Sequence, residues 1–135
     1  MRPWGAVRWL VAVAAGGAVF EGLDALAGQV PAVSWLTLVS PLAAGGVATW
    51  LAAGGVYPRL VAALAVAWAR IGADRAIGLS HGVRQPLEVE VAIAALFGIP
   101  WMVLAALGGV IVVLAGRRPR PQNPRRPQGS SPRVT

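Results

Sequence analysis

Apolar runs of about twenty residues, the length a helix needs to cross a bilayer core, recur along this chain with few charges inside them. WGAVRWLVAVAAGGAVF lies near the start, LTLVSPLAAGGVATWLAAGGV in the middle and VAIAALFGIPWMVLAALGGVIVVLAG before the end. A soluble domain of this size carries about a quarter charged residues. Here charged residues are 13% of 135 and hydrophobic ones 56%, which is membrane-protein composition.

The expected fold is therefore an all-α integral membrane protein, a bundle of four transmembrane helices. The helical domain covers residues 1–116, with helices at about 5–26, 35–54, 56–75 and 91–114, followed by a tail over 117–135. The third span is the hardest to draw, because only ten residues separate Arg59 from Arg70. It must take in both arginines, each near enough to an end for its long side chain to reach the headgroups. Pro58 then falls in the first helical turn, where its missing N–H is tolerated, and GGVYP becomes a tight hairpin.

All twelve basic residues are arginine, and six of them lie in the last 19 residues. Short cytoplasmic loops collect positive charge. With both termini inside, Arg2, Arg8, Arg59 and the six tail arginines face the cytoplasm, and Arg70, Arg75 and Arg84 face out. That nine-to-three split predicts a multi-pass protein of the cell membrane with cytoplasmic N and C termini. Five of the six tryptophans, at positions 4, 9, 35, 50 and 68, fall near expected interfaces. Trp101, just after Pro100, falls near mid-membrane instead. The N-terminus has a second reading as a signal peptide, with a basic start, the apolar run WLVAVAAGGAVF and a small-x-small pattern at Ala25-Leu26-Ala27. Cleavage there would leave three spans.

LAAGGV occurs twice, at residues 42–47 and 51–56, and LAALGGV at 104–110 echoes it. Gly45, Gly46, Gly54, Gly55, Gly108 and Gly109 are thus the candidate helix-packing residues, within one bundle or between copies. Their nine-residue period, close to about 2.5 helical turns, puts the two Gly-Gly pairs of helix two on roughly opposite sides. Pro41 and Pro100 interrupt helices two and four and are candidate kinks.

The tail RRPRPQNPRRPQGSSPRVT has almost no apolar side chains besides proline and is expected to be disordered. Arg117, Arg118, Arg120, Arg125 and Arg126 are candidates for contact with anionic lipid headgroups.

The charged stretch RIGADRAIGLSHGVRQPLEVE, residues 70–90, carries the chemistry that is available. On a continuous helix Arg70, Asp74 and His81 would share a face within about 40 degrees, as in an ion or proton path. Gly72, Gly78 and Gly82 argue instead for an Arg70–Asp74 pair followed by a solvated loop. Glu88 and Glu90 follow Pro86, where acids suit the start of a helix. Glu21 and Asp24 lie toward the outer end of helix one, where a carboxylate needs an opposite charge; Arg70 and Arg75 are at matching depth. Glu21, Asp24, Arg70, Asp74, Arg75 and His81 form the candidate charge-pair or transport site.

With no cysteine and one histidine, thiol chemistry and a His-rich metal or haem site are not expected. Nucleotide-binding and hydrolase motifs are missing, so no enzyme activity and no cofactor are expected. The arginines flank apolar segments and do not form an aromatic-rich basic groove, which disfavours nucleic acid. No known family's motifs can be laid on the chain residue by residue. The expected function is a non-catalytic subunit or scaffold of a membrane assembly, as a homo-oligomer or within a larger complex. The alternative is a small oligomeric transporter or channel using Glu21 and Asp24 with Arg70, Asp74 and Arg75.

Overall fold

The structure, a computed structural model, describes residues 3–117. Four α-helices account for nearly all of it: α1 (Pro3–Gln29), α2 (Leu36–Leu51), α3 (Val56–Ser80) and α4 (Leu87–Gly116). A single 3-10 turn, Pro31–Val33, joins α1 to α2, and there is no strand among the described residues. The start of α1 meets both the end of α2 and the start of α3, so the helices run alternately up and down. Arg118, Arg120, Arg125 and Arg126, with the rest of the expected tail, lie outside the described residues.

α2 packs on all three other helices. At two glycines its contact with α4 has no room for a side chain. A Cβ on Gly45 would come within 2.1 Å of the Ala105 carbonyl oxygen, and one on Gly108 within 2.0 Å of the Leu42 carbonyl oxygen. Gly109 faces Thr49 and Ala63, again with no space for a Cβ. Around this seam the core is made of small residues, with Ala12, Ala44, Ala48, Ala62 and Val66 fully buried. Phe20 is the one large aromatic ring buried among them.

The second Gly-Gly pair does not behave as its repeat suggests. α2 stops at Leu51, so Gly54 and Gly55 form the α2–α3 turn and take no part in a helix face. Gly54 has φ of +110°, a conformation that residues with a Cβ rarely adopt. The end of α2 is also capped by arginine. Arg8 Nε donates to the Leu51 carbonyl at 3.1 Å, and Arg59 Nε to the Thr49 carbonyl at 2.9 Å. These are last-turn carbonyls that the helix itself leaves without a partner. Thr49 Oγ1 donates in return to the Arg59 carbonyl, and Trp9 Nε1 to the Pro58 carbonyl.

Two other boundaries shift for local reasons. α3 continues past Arg75 to Ser80, carrying Gly72 and Gly78 within it, and ends in a glycine cap. Gly82 has φ of +76°, its N–H bonds the Leu79 carbonyl, and the Val83 N–H reaches back to Gly78. That pattern satisfies the final carbonyls of a helix. α4 begins at Leu87, directly after Pro86, with Glu88 and Glu90 in its first turn. Inside α2, buried Pro41 cannot donate to the carbonyl four residues back. Ser40 Oγ donates to that carbonyl, Thr37 O, at 3.1 Å.

α1 and α4 are each long and apolar enough to cross a membrane, and only 22% of either apolar window is buried inside the bundle. Much of the remaining apolar surface faces outward, including Leu96, Ile99, Val103, Ile111 and Leu114 of α4. α2, at 16 residues, is about 24 Å long.

The α2–α4 seam predicts opposite effects at different glycines. Gly45→Ala should cost about 1–3 kcal/mol by forcing the two backbones apart. Gly17→Ala, where a Cβ meets nothing within 4 Å, should be neutral or stabilise by roughly 0.5–1 kcal/mol through helix propensity. Thermal unfolding of the two variants in the same detergent checks the contrast.

Candidate functional site

At the end of the bundle away from the α2–α3 turn, α1 and α3 are held together by one arginine. Arg70 sits more than halfway along α3, and its side chain is only 15% exposed. Its guanidinium meets three carboxylates: Glu21 at 2.6 Å and Asp24 at 3.5 Å from α1, and Asp74 one turn further along α3. Glu21 and Asp24 are three apart and Arg70 and Asp74 four apart, so each pair shares a helix face and the two faces meet.

The apolar side of the guanidinium is occupied as well. Arg70 Cζ lies 5.7 Å from the centre of the Phe20 ring, a cation–π contact. Phe20 in turn meets Trp101 of α4 edge to face at 5.3 Å, and Phe97 lies on Trp101 at 6.2 Å. Trp101, the one tryptophan not expected near an interface, is half-buried in an aromatic stack that begins at Arg70. Arg70 Nε is buried and has no hydrogen-bond partner among the described residues.

The six candidate charged residues do not form one site. Glu21, Asp24, Arg70 and Asp74 come together. Arg75 points to α4 and pairs with Glu90, a residue whose position in a first turn sufficed to account for it. His81 caps α3, with Nδ1 at 2.9 Å from the Ile77 carbonyl oxygen, and bonds there and to Ser80, not to Arg70 or Asp74. The Arg70-Asp74-His81 face therefore ends at Asp74.

A cleft of about 610 Å³ opens between α3 and α4 beside this cluster. Asp74, Arg75 and Glu90 lie on its wall, with Gln85 from the α3–α4 loop and Phe97 and Trp101 deeper in. No sequence signal pointed to this cleft. It follows from Gly78 and Ala94, small residues on facing helices, and from the Gly82 cap that turns the chain.

Of the candidate packing glycines, Gly45, Gly108 and Gly109 sit in tight contacts within the bundle, while Gly46 makes ordinary contact with Val112. Gly16 is also closely packed, with Val66 and the Ala44 carbonyl within 3 Å of where a Cβ would lie, and Gly98 meets only the end of the Ile71 side chain; neither belongs to the repeat. Arg117 follows α4, and its N–H bonds the Leu114 carbonyl. No group of three or more His, Cys, Asp or Glu residues among the described ones is placed to hold a metal.

No family model matches the chain, and no curated protein or solved structure does either.

Removing Arg70 would leave three carboxylates facing one another. Loss of one partner from a fully buried pair costs about 3–5 kcal/mol. Glu21 and Asp74 are 53% and 47% exposed, so water screens part of the repulsion. Arg70→Gln should therefore cost about 2 kcal/mol. Arg70→Lys should recover only part of this, because an ammonium cannot present the planar fork that reaches several carboxylates. Arg75→Gln, which strands Glu90 alone, should cost less. Melting temperatures of the three variants give the order.

Proposed function

We propose that this chain is a small four-span membrane protein with both termini in the cytoplasm, acting as a non-catalytic subunit or scaffold of a membrane assembly. The carrying observation is the distribution of polarity. Arg70, whose side chain is only 15% exposed, lies inside the bundle, whereas the outward faces of α1 and α4 are largely apolar. Soluble monomers rarely expose contiguous apolar patches beyond a few hundred Å². Lipid, or the helices of partner chains within lipid, suits such an exterior.

Arginine placement supports the orientation. Arg8 and Arg59 gather at the end of the bundle where Arg117 leaves α4, so the basic end faces the cytoplasm by the positive-inside rule. The tail arginines add attraction to anionic headgroups, worth about 1 kcal/mol each near the surface. α1 remains part of the mature protein in this reading, because it supplies Ala12 and Phe20 to the core and two of Arg70's partners. The outward small-residue and apolar faces serve contact with further copies or with a larger complex.

The second reading, a small oligomeric transporter or channel, is favoured by one feature. Three carboxylates share one guanidinium, so the cluster carries excess negative charge that its own arginine does not balance. Under that reading Glu21→Gln abolishes flux without affecting assembly.

The absence of cysteine makes orientation directly testable. In intact cells a membrane-impermeant maleimide should label Gln85→Cys at once and Ser130→Cys only after permeabilisation. The reverse pattern overturns the topology, and recovery of the protein in the soluble fraction overturns the membrane reading. Native mass spectrometry of the mildly extracted protein then separates the two functions: a stoichiometric foreign subunit supports the first, and a pure self-oligomer whose flux is lost in Glu21→Gln supports the second.

A further inference from the structure

We propose that the cleft between α3 and α4 is a binding site for a lipophilic organic cation. The inference rests on the cleft's size, its walls and its charge, and it holds whether the chain works alone or within a complex.

A volume of about 610 Å³ falls within the roughly 300–1,000 Å³ typical of sites for small organic molecules. It is too small for a partner helix with its side chains. The walls are mostly hydrocarbon and aromatic, from Ile71, Leu79, Val91, Ile93, Phe97 and Trp101. A hydrated metal ion or a flexible polyamine would leave that surface unsatisfied. An occupant must be apolar over most of its area.

Charge then selects the sign. Asp74, Arg75 and Glu90 line the wall. Arg75 is engaged by Glu90, while Asp74 shares Arg70 with Glu21 and Asp24. On the cleft wall two carboxylates thus answer one guanidinium, an excess of one negative charge, and behind Asp74 the carboxylates of Glu21 and Asp24 outnumber Arg70. A positive charge is attracted to Asp74, and the aromatic faces of Phe97 and Trp101 add to that attraction once the cation has lost water. The same chemistry operates one layer inward, where Arg70 rests on Phe20. An anion of equal size would meet the same walls with the opposite sign of field.

The test uses the full-length protein in lipid nanodiscs with two probes of one shape and opposite charge, tetraphenylphosphonium and tetraphenylborate. The expected result is saturable binding of the phosphonium at one per chain, with the borate at least tenfold weaker. Gly78→Leu fills the cleft without altering charge, at a position where an added Cβ meets nothing, and should abolish phosphonium binding. Asp74→Asn should weaken it at least tenfold. Because Asp74 also braces Arg70, Glu90→Gln provides a second charge variant: it frees Arg75 at the cleft wall, weakens the phosphonium and strengthens the borate. Phosphonium uptake that does not saturate above that of protein-free nanodiscs, or binding unchanged in Gly78→Leu, would mean partition into lipid and overturn the proposal, as would saturable borate binding as tight as the phosphonium's. A copurifying phospholipid that the phosphonium does not displace, and that Gly78→Leu removes, would assign the cleft to lipid and overturn it too.

Discussion

The close approach of α2 and α4 governs the rest of the bundle. Carbonyl oxygens of Ala105 and Leu42 occupy space where Gly45 and Gly108 would otherwise carry side chains, so the two backbones are nearly in contact. Such contact gains dispersion energy from many small groups and loses little side-chain entropy, since alanine and glycine have no rotamers to fix. α2 can therefore be short and central, with α1, α3 and α4 gathered around it. The cost is a core with little volume. Among the described residues Phe20 is the only large aromatic side chain fully enclosed, and it stands where the charged end begins.

The two ends of the bundle use arginine differently. At the α2–α3 turn, Arg8 and Arg59 act as hydrogen-bond donors to backbone carbonyls and close a helix that two glycines would otherwise leave open. At the other end, Arg70 and Arg75 act as counter-charges, each joining α3 to a different neighbour, α1 and α4. A guanidinium serves both purposes because it is planar, always charged and presents several N–H groups in a fixed fork. Lysine could supply the charge but not the geometry, and the chain contains none.

Much of this was legible in the sequence. Apolar run length marks three of the four helices, α3 is drawn only by taking in Arg59 and Arg70, and GGVYP marks the turn after α2. Matched depth also pointed from Glu21 and Asp24 to Arg70. The errors came from local chemistry overriding pattern. The LAAGGV repeat suggested two equivalent glycine pairs, but only Gly45 and Gly46 lie in a helix. Gly54 needs a positive φ, and the arginines that cap α2 come from Arg8 and Arg59, 43 and 10 residues away from their acceptors. The glycines at 72 and 78 suggested a broken helix, yet the cap at Gly82 sets its end. Glu90's pairing with Arg75, and the cleft beside it, depend on how α3 and α4 lie together, which no local pattern encodes.

Depth connects the charge cluster to the membrane reading. Arg70 lies eleven residues beyond Arg59 on one helix, a rise of about 16 Å. Under the proposed membrane reading, with Arg59 at one boundary of a hydrocarbon layer of roughly 30 Å, Arg70 and its carboxylates would stand well inside it. An arginine at such depth is retained where it faces the bundle interior and finds partners, and Arg70 does both. Compensation overshoots, however, because three acids answer one base. A bilayer tolerates that excess where water or a cation can reach it, and the α3–α4 cleft opens beside Asp74 at that level. The arrangement that pins α1 to α3 is therefore the same one that leaves a negative charge beside an open apolar cavity.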